Sequence, residues 1–186
     1  MQTFVAFCVV IVFGLVAMLS WASKPFVVQW EPLNSQNRPN CSAKSPCRVF
    51  QDGLTYDFII NAKTVGSKKV FEKLLIKNNT NGRSQEFVLD TMRNLDDDEY
   101  FEFFKTQLRP GKNVDVALAA FSSAREGRVY YYFLYDEKSK SFIMSDGTFP
   151  KLVSSKSGVG LESELQGTPF KIDESLKIVN AQAMVK

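Results

Sequence analysis

The amino-acid sequence predicts a mostly β domain of the α+β class. We expect an antiparallel sheet, or a sandwich- or barrel-like arrangement, with one amphipathic helix packed on it and an apolar helix before it. Short apolar runs separated by polar turn residues recur from residue 48 to residue 179. Several of these runs alternate between apolar and polar residues, which is the period of a half-buried strand. The chain has 186 residues, of which 45 % are hydrophobic, and this is enough to build one core.

The N-terminal segment is apolar enough to direct the chain into a membrane. Residues 4–19 carry no charge, and with the residues up to Ala22 they reach the roughly 17–20 that a membrane-spanning helix needs. Ser20 and Ala22 place small residues where a signal peptidase reads, so cleavage after Ala22 is the alternative to a retained anchor. Residues 1–22 are therefore predicted to be a signal peptide or a transmembrane anchor. A cleaved signal peptide places the rest of the chain in the periplasm or another extracytoplasmic space. For an anchor retained in the inner membrane, the basic residues after the span (Lys24, Arg38, Lys44 and Arg48) weakly favour the opposite orientation, whereas the cysteine pair described next favours the extracytoplasmic side.

Two cysteines follow in a polar stretch. Residues 23–47 are predicted to be a linker or long surface loop, because residues 31–47 are rich in Pro, Asn and Ser. Cys41 and Cys47 are an even pair at close spacing with a proline between them, which favours a disulfide formed in an oxidising compartment. Two free thiols are the alternative. The third cysteine, Cys8, lies inside the apolar segment.

The globular domain is predicted to span residues 48–186. Predicted strands cover residues 48–51, 54–62, 85–91, 113–121, 128–135, 141–144 and 169–179. Residues 128–135, RVYYYFLY, are apolar or aromatic on both faces, as in a central strand covered on both sides. A polar turn at 136–140 joins this strand to the next one and predicts a hairpin. Residues 69–77 fit both a helix and a strand, and the polar turn that follows them favours a hairpin.

One helix is predicted to begin at Asp96. Glu99 stands three residues later, as in a capping box, and the four acidic residues 96–99 suit a helix N-terminus better than a calcium loop. Phe101, Phe104 and Leu108 then follow at i, i+3 and i+7, and Pro110-Gly111 ends the helix.

The composition excludes several kinds of catalytic and metal site. The chain contains no histidine, which rules out Ser-His-Asp triads, Cys-His pairs and metal sites that need histidine. Its three cysteines cannot complete an all-cysteine zinc site. A net charge of +3 lacks the concentrated positive charge of nucleic-acid binders. We therefore expect no enzyme activity, no catalytic residue, no cofactor, no metal and no nucleic-acid partner.

Two loops are candidates for binding a partner protein. Residues 122–128 and 154–160 are polar, rich in small residues, and placed where strands are predicted to end. The candidate contact residues are Arg125, Arg128, Ser155 and Lys156. The guanidinium groups can pair with carboxylates of a partner. The alternative is that these side chains simply lie in solvent at strand ends.

The aromatic hairpin carries a family resemblance. Residues 128–143, RVYYYFLYDEKSKSFI, resemble the aromatic hairpin of a group of bacterial periplasmic β proteins. That group includes inhibitors of lysozyme-like hydrolases, some of which serve as immunity proteins against secreted toxins. The resemblance implies an exported or anchored protein that binds and blocks a toxin or a cell-wall hydrolase. The alternative function is a structural subunit of a bacterial envelope secretion or pilus assembly, whose N-terminal segment packs among other membrane spans.

Overall fold

The computed structural model describes residues 26–33, 41–66, 68–89, 94–95, 102–111, 113–123, 127–157 and 160–184. These residues form β-strands and one 3-10 helix, Ala181–Met184. In chain order the strands are β1 (Trp30–Pro32), β2 (Cys47–Gln51), β3 (Leu54–Val65), β4 (Lys68–Asn78), β5 (Ser84–Val88), β6 (Asn94–Leu95), β7 (Phe103–Thr106), β8 (Asp115–Ser123), β9 (Gly127–Asp136), β10 (Ser141–Met144), β11 (Phe149–Pro150), β12 (Leu152–Ser154), β13 (Leu161–Ser163), β14 (Pro169–Ile172) and β15 (Ile178–Asn180).

The strands pair into three antiparallel sheets. The central sheet has the order β1-β7-β8-β9-β10, and β11 also pairs with β9. The long-strand sheet has the order β2-β3-β4-β5, with β6 pairing with β4. The C-terminal sheet has the order β12-β13-β14-β15. The prediction of a mostly β fold with antiparallel sheets is confirmed.

The central sheet is covered on both faces, and β9 shows this best. Its alternate residues Tyr131, Phe133 and Tyr135 belong to a first core shared with the long-strand sheet. The intervening residues Tyr132 and Leu134 belong to a second core shared with the C-terminal sheet. Successive side chains of a strand point to opposite faces, so an aromatic run of this kind requires partners on both sides. The prediction that 128–135 is a doubly covered central strand is confirmed.

The hairpins that the sequence predicted are present. Strands β9 and β10 pair from Ser141 opposite Asp136 to Met144 opposite Phe133. The ambiguous residues 69–77 lie in β4, which pairs along its length with β3 and at its end with β5. The hairpin interpretation of that segment is therefore confirmed.

The predicted helix is wrong from residue 103 onward, because Phe103–Thr106 form β7 between β1 and β8. Phe103 is fully buried in the first core, whereas Phe104 packs on the second core against Trp30, with the ring centroids 5.4 Å apart. A strand covered on both faces has apolar residues at adjacent positions, and this spacing also fits one side of a helix. The predicted capping residues 96–99 lie outside the described residues.

Two further segments differ from the strand predictions. Residues 169–179 form two strands instead of one, because Asp173 closes a turn by accepting hydrogen bonds from the backbone N–H groups of Ser175 and Lys177, both at 2.9 Å. Trp30–Pro32, which fell within the predicted linker, pair with β7 at the edge of the central sheet. The Trp30 ring lies 5.0 Å from the Tyr130 ring, so this edge strand helps to close the second core.

The described part of the chain contains no helix that is long and apolar enough to cross a bilayer. The apolar segment at residues 4–22, for which a signal peptide or an anchor is predicted, lies outside that part.

Candidate functional site

The two cysteines of the polar stretch are joined. Cys41 and Cys47 form a disulfide with their Cα atoms 4.7 Å apart, and both residues are buried. Cys47 is the first residue of β2, and the carbonyl of Cys41 accepts a hydrogen bond from the N–H of Ile60 in β3. The disulfide and this hydrogen bond therefore hold Cys41, which precedes β2, against the long-strand sheet. The predicted pairing is confirmed.

Thiol labelling tests the Cys41–Cys47 disulfide directly. Treating denatured, non-reduced full chain with a maleimide should modify Cys8 and leave Cys41 and Cys47 unmodified, because their sulfurs are bonded to each other. Reduction before labelling should expose both. A Cys8→Ser variant is the control, since it should show no label until it is reduced. Label at Cys41 and Cys47 before reduction would contradict the assignment to an oxidising compartment.

The predicted binding loop 122–128 falls where β8 is followed by β9, and its described ends pair with each other, Ser122 with Arg128 and Ser123 with Gly127. Arg128 lies at the start of β9, opposite Ser122, and its guanidinium pairs with the Glu102 carboxylate. Both side chains are more than one-third exposed, at 37 % and 39 %. Arg125, the other candidate of this loop, lies outside the described residues.

The second predicted loop connects β12 to β13. The Ser155 hydroxyl lies 3.0 Å from that of Ser157, and the backbone N–H of Lys156 donates to the Glu162 carboxylate at 3.3 Å. The Lys156 side chain is exposed.

The two loops lie beside opposite ends of the short strand β13. A Cβ atom built on Gly127 would lie 2.6 Å from the Leu165 side chain, so the β8–β9 turn sits beside the turn that follows β13. Lys156 lies in the turn that precedes β13, at the other end of this strand. The structure therefore places Arg128 and Lys156 at opposite ends of the C-terminal sheet.

A groove that the sequence did not indicate lies where the long-strand and central sheets meet. It has a volume of about 420 Å³, and its walls are the β4–β5 turn and the β9–β10 turn. The Gln85 side chain of β5, which lines this groove, links the two sheets. Its amide donates to the carbonyl of Phe142 and accepts from the N–H of the same residue, each at 2.9 Å. These two bonds hold the walls at a set spacing.

Two of the residues that line the groove, Tyr56 and Lys140, belong to a hydrogen-bonded network that also includes Tyr135 and Asp52. The Tyr56 hydroxyl donates to the carbonyl of Lys140 at 2.8 Å and lies 3.4 Å from the Tyr135 hydroxyl. The Lys140 ammonium pairs with the Asp52 carboxylate at 2.7 Å. Burial raises the pKa of Tyr135 well above its usual range, and the neighbouring Tyr56 and Asp52 add to this shift. Tyr135 therefore remains a protonated hydrogen-bonding group at neutral pH.

A buried carboxylate on the central sheet is structural. Asp115 is fully buried, and its oxygens accept hydrogen bonds from Arg109 at 2.6 Å, from the Tyr135 N–H at 3.0 Å and from the Leu108 N–H at 3.2 Å. Burial raises the pKa of Asp115, and Arg109 with the two backbone donors opposes that shift. Because no face of this carboxylate reaches solvent, its contacts serve to anchor the segment between β7 and β8 onto β9.

Within the described ranges, no group of three or more Asp, Glu, Cys or His side chains is arranged to hold a metal ion. Comparison of the chain with models of protein families, with curated proteins and with solved structures finds no match. The proposed function therefore rests on the residues and their contacts.

Proposed function

We propose that this protein is an exported binding protein, with its N-terminal segment either cleaved or retained as an anchor, that blocks a secreted toxin or a cell-wall hydrolase. It acts by contact and not by catalysis. The Cys41–Cys47 disulfide supports a place outside the cytoplasm, because such bonds persist in oxidising compartments.

The exposed ion pair at the tip of the β8–β9 hairpin is the observation that carries this proposal. Arg128 lies on a strand of the central sheet, and its guanidinium forms an ion pair with the Glu102 carboxylate at the surface. A surface pair of this kind contributes only about 0–1 kcal/mol to folding. A carboxylate of a partner can therefore replace Glu102 at low cost and gain the two parallel hydrogen bonds that a guanidinium offers. Glycosidase clefts carry pairs of such carboxylates.

Replacing Arg125 and Arg128 together by alanine tests the proposal. The partner is first identified by affinity purification from an envelope fraction, and its hydrolase or toxin activity is then titrated with the full chain. We expect the wild-type chain to inhibit and the double variant to bind at least about tenfold more weakly, as for the loss of a central Arg contact. The melting temperature should change little, because the Arg128–Glu102 pair is partly exposed, at 37 % and 39 %, and such pairs contribute only about 0–1 kcal/mol to folding.

Lys63→Ala is the matched control, since Lys63 also forms an exposed ion pair, with Glu72 on the long-strand sheet. It should leave binding unchanged. Equal binding by the Arg125/Arg128 double variant would remove this turn from the interface. Hydrolysis of cell wall by the purified chain would refute inhibition as its function, and a partner that is a multi-spanning envelope assembly would favour a structural subunit.

A further inference from the structure

Strand β2 lies at an edge of the long-strand sheet, where the described residues pair it with β3 alone. Its five residues alternate between buried and exposed side chains. The strand contains no proline and no lysine, and its pairing with β3 has no bulge. These are three of the features that keep edge strands from pairing with other chains. The strand also carries Phe50, whose 70 % exposure is the highest among the large apolar side chains of the described residues.

The turn after β2 determines which backbone groups of the strand face this edge. Asp52 and Gly53, both with positive φ, form the two-residue loop that follows Gln51. The pair that closes such a loop exchanges backbone hydrogen bonds, and bonded and non-bonded pairs then alternate along the strand. Counted back from Gln51, every second residue of β2 therefore bonds to β3. The N–H and C=O groups of the intervening residues, Arg48 and Phe50, point away from β3.

A hydrogen bond on the far side of β3 agrees with this alternation. Thr55 lies opposite Phe50, and its carbonyl accepts from the N–H of Asn79 at 2.8 Å. Asn79 directly follows β4, so the Thr55 carbonyl points away from β2. This is the direction expected where the Phe50–Thr55 pair does not exchange hydrogen bonds. The edge of β2 therefore presents two backbone donors and two backbone acceptors, one of each from Arg48 and from Phe50.

We infer that a second copy of this chain pairs with this edge, β2 against β2, in antiparallel orientation. A two-fold axis relates the copies, so the same edge is used by both. Outward groups form hydrogen bonds only where two outward-facing residues lie opposite each other. A register centred on Val49 meets this condition, because it places Arg48 of each copy opposite Phe50 of the other. Four hydrogen bonds then join the two sheets into one.

The other registers that keep the alternation use fewer of these groups. A register centred on Arg48 brings two guanidinium groups together and sets Phe50 against Pro46, which has no N–H. A register centred on Phe50 sets Arg48 against Asp52, whose φ of 52° lies outside the strand region. The Val49 register uses all the outward groups, and it sets each guanidinium beside an aromatic ring, which attracts cations. This self-complementarity favours a second copy over an unrelated strand.

The charges along β2 do not oppose this pairing. Arg48 is compensated within its own copy, because its guanidinium pairs with the Asp57 carboxylate at 2.7 Å. An interface built on five residues of strand is smaller than that of a permanent dimer, so we expect weak, concentration-dependent association. Arg128 lies on the central sheet and β2 on the long-strand sheet, so this inference does not depend on the proposed function.

Sedimentation equilibrium of the full chain, in a density-matched non-ionic detergent at up to about 0.5 mM, tests the inference. We expect reversible dimerisation of the wild-type chain. Phe50→Lys should weaken it by about tenfold, because each new lysine would face Arg48 of the other copy. Phe50→Glu should dimerise about tenfold more tightly than Phe50→Lys, because opposite charges then face each other at the same two positions.

Val88→Lys and Val88→Glu are the matched controls, since Val88 is 67 % exposed on β5, at the other end of the same sheet. They add the same charges to the chain and should leave dimerisation unchanged. A wild-type chain that stays monomeric, or a dimer that Phe50→Lys leaves intact, would overturn the inference. Equal weakening by Phe50→Lys and Val88→Lys would show a general effect of charge and would also overturn it. Equal weakening by Phe50→Lys and Phe50→Glu would refute the register centred on Val49.

Discussion

Replacing Asp115 by alanine should lower the free energy of unfolding by about 3–5 kcal/mol, the cost of removing one partner of a buried ion pair. The variant leaves the Arg109 guanidinium, whose side chain is only 19 % exposed, without its carboxylate. It also leaves the N–H groups of Leu108 and Tyr135 without an acceptor. Unsatisfied buried donors carry the full cost of their lost hydration. Chemical denaturation of the full chain measures the effect.

Glu102→Gln is the control for Asp115→Ala. Glu102 also pairs with an arginine, but this pair is half-exposed, so its loss should cost less than about 1 kcal/mol. A loss for Asp115→Ala that is no greater than that of Glu102→Gln would contradict the burial of the Asp115–Arg109 pair. The comparison thus tests where the ion pair lies and not merely whether it forms.

Phe58→Ala should destabilise the protein by about 3–5 kcal/mol, as expected for emptying a buried aromatic site. The Phe58 ring is fully buried between the long-strand and central sheets. Its centroid lies 5.1 Å from that of Phe142, 6.1 Å from that of Phe103 and 6.3 Å from that of Phe133. The cavity left by alanine would open onto three rings from different strands, which cannot all move inward to fill it.

Phe50→Ala provides the matched comparison, because Phe50 lies on the neighbouring strand β2 and is 70 % exposed. We expect its effect to stay within about 0.5 kcal/mol, as for most surface substitutions. Should the two phenylalanines prove equally tolerant of truncation, the packing of the long-strand sheet on the central sheet is wrong.

The hairpin that the sequence predicted depends on residues close together in the chain, whereas the structure of the segment predicted as a helix depends on distant ones. Residues 128–135 and 141–144 form a hairpin as predicted, because the signal is an apolar run, a polar turn and a second run, all close in sequence. Phe103 and Phe104 were assigned to a helix because their spacing fits one. Their side chains lie instead in two different cores, and the core on which Phe104 packs includes Ile178, which is 74 positions away along the chain. No local pattern contains that information.

The sequence likewise indicated some features of the candidate sites and missed others. The sequence pointed to Arg128 and Lys156 because both follow polar turn signals, and both do lie in or beside turns. It did not show that they are at opposite ends of the C-terminal sheet. Nor did it indicate the groove between the β4–β5 and β9–β10 turns, since its lining residues Arg83 and Lys140 are 57 positions apart and come to one groove where the Gln85 side chain joins β5 to β10.

The sequence by itself determined which catalytic and metal-binding chemistry this protein lacks, and it indicated contacts between residues that are close along the chain. Without histidine it has no imidazole base or ligand, and the spacing of six positions between Cys41 and Cys47 favoured the disulfide that the structure contains. Only the tertiary structure decided which sheets cover the two faces of the central sheet, and that Asn78 and Arg83 line the same groove as Lys140. The physical reason is range: turn chemistry and strand alternation act over a few residues, whereas the packing of one sheet on another depends on side chains from distant parts of the chain.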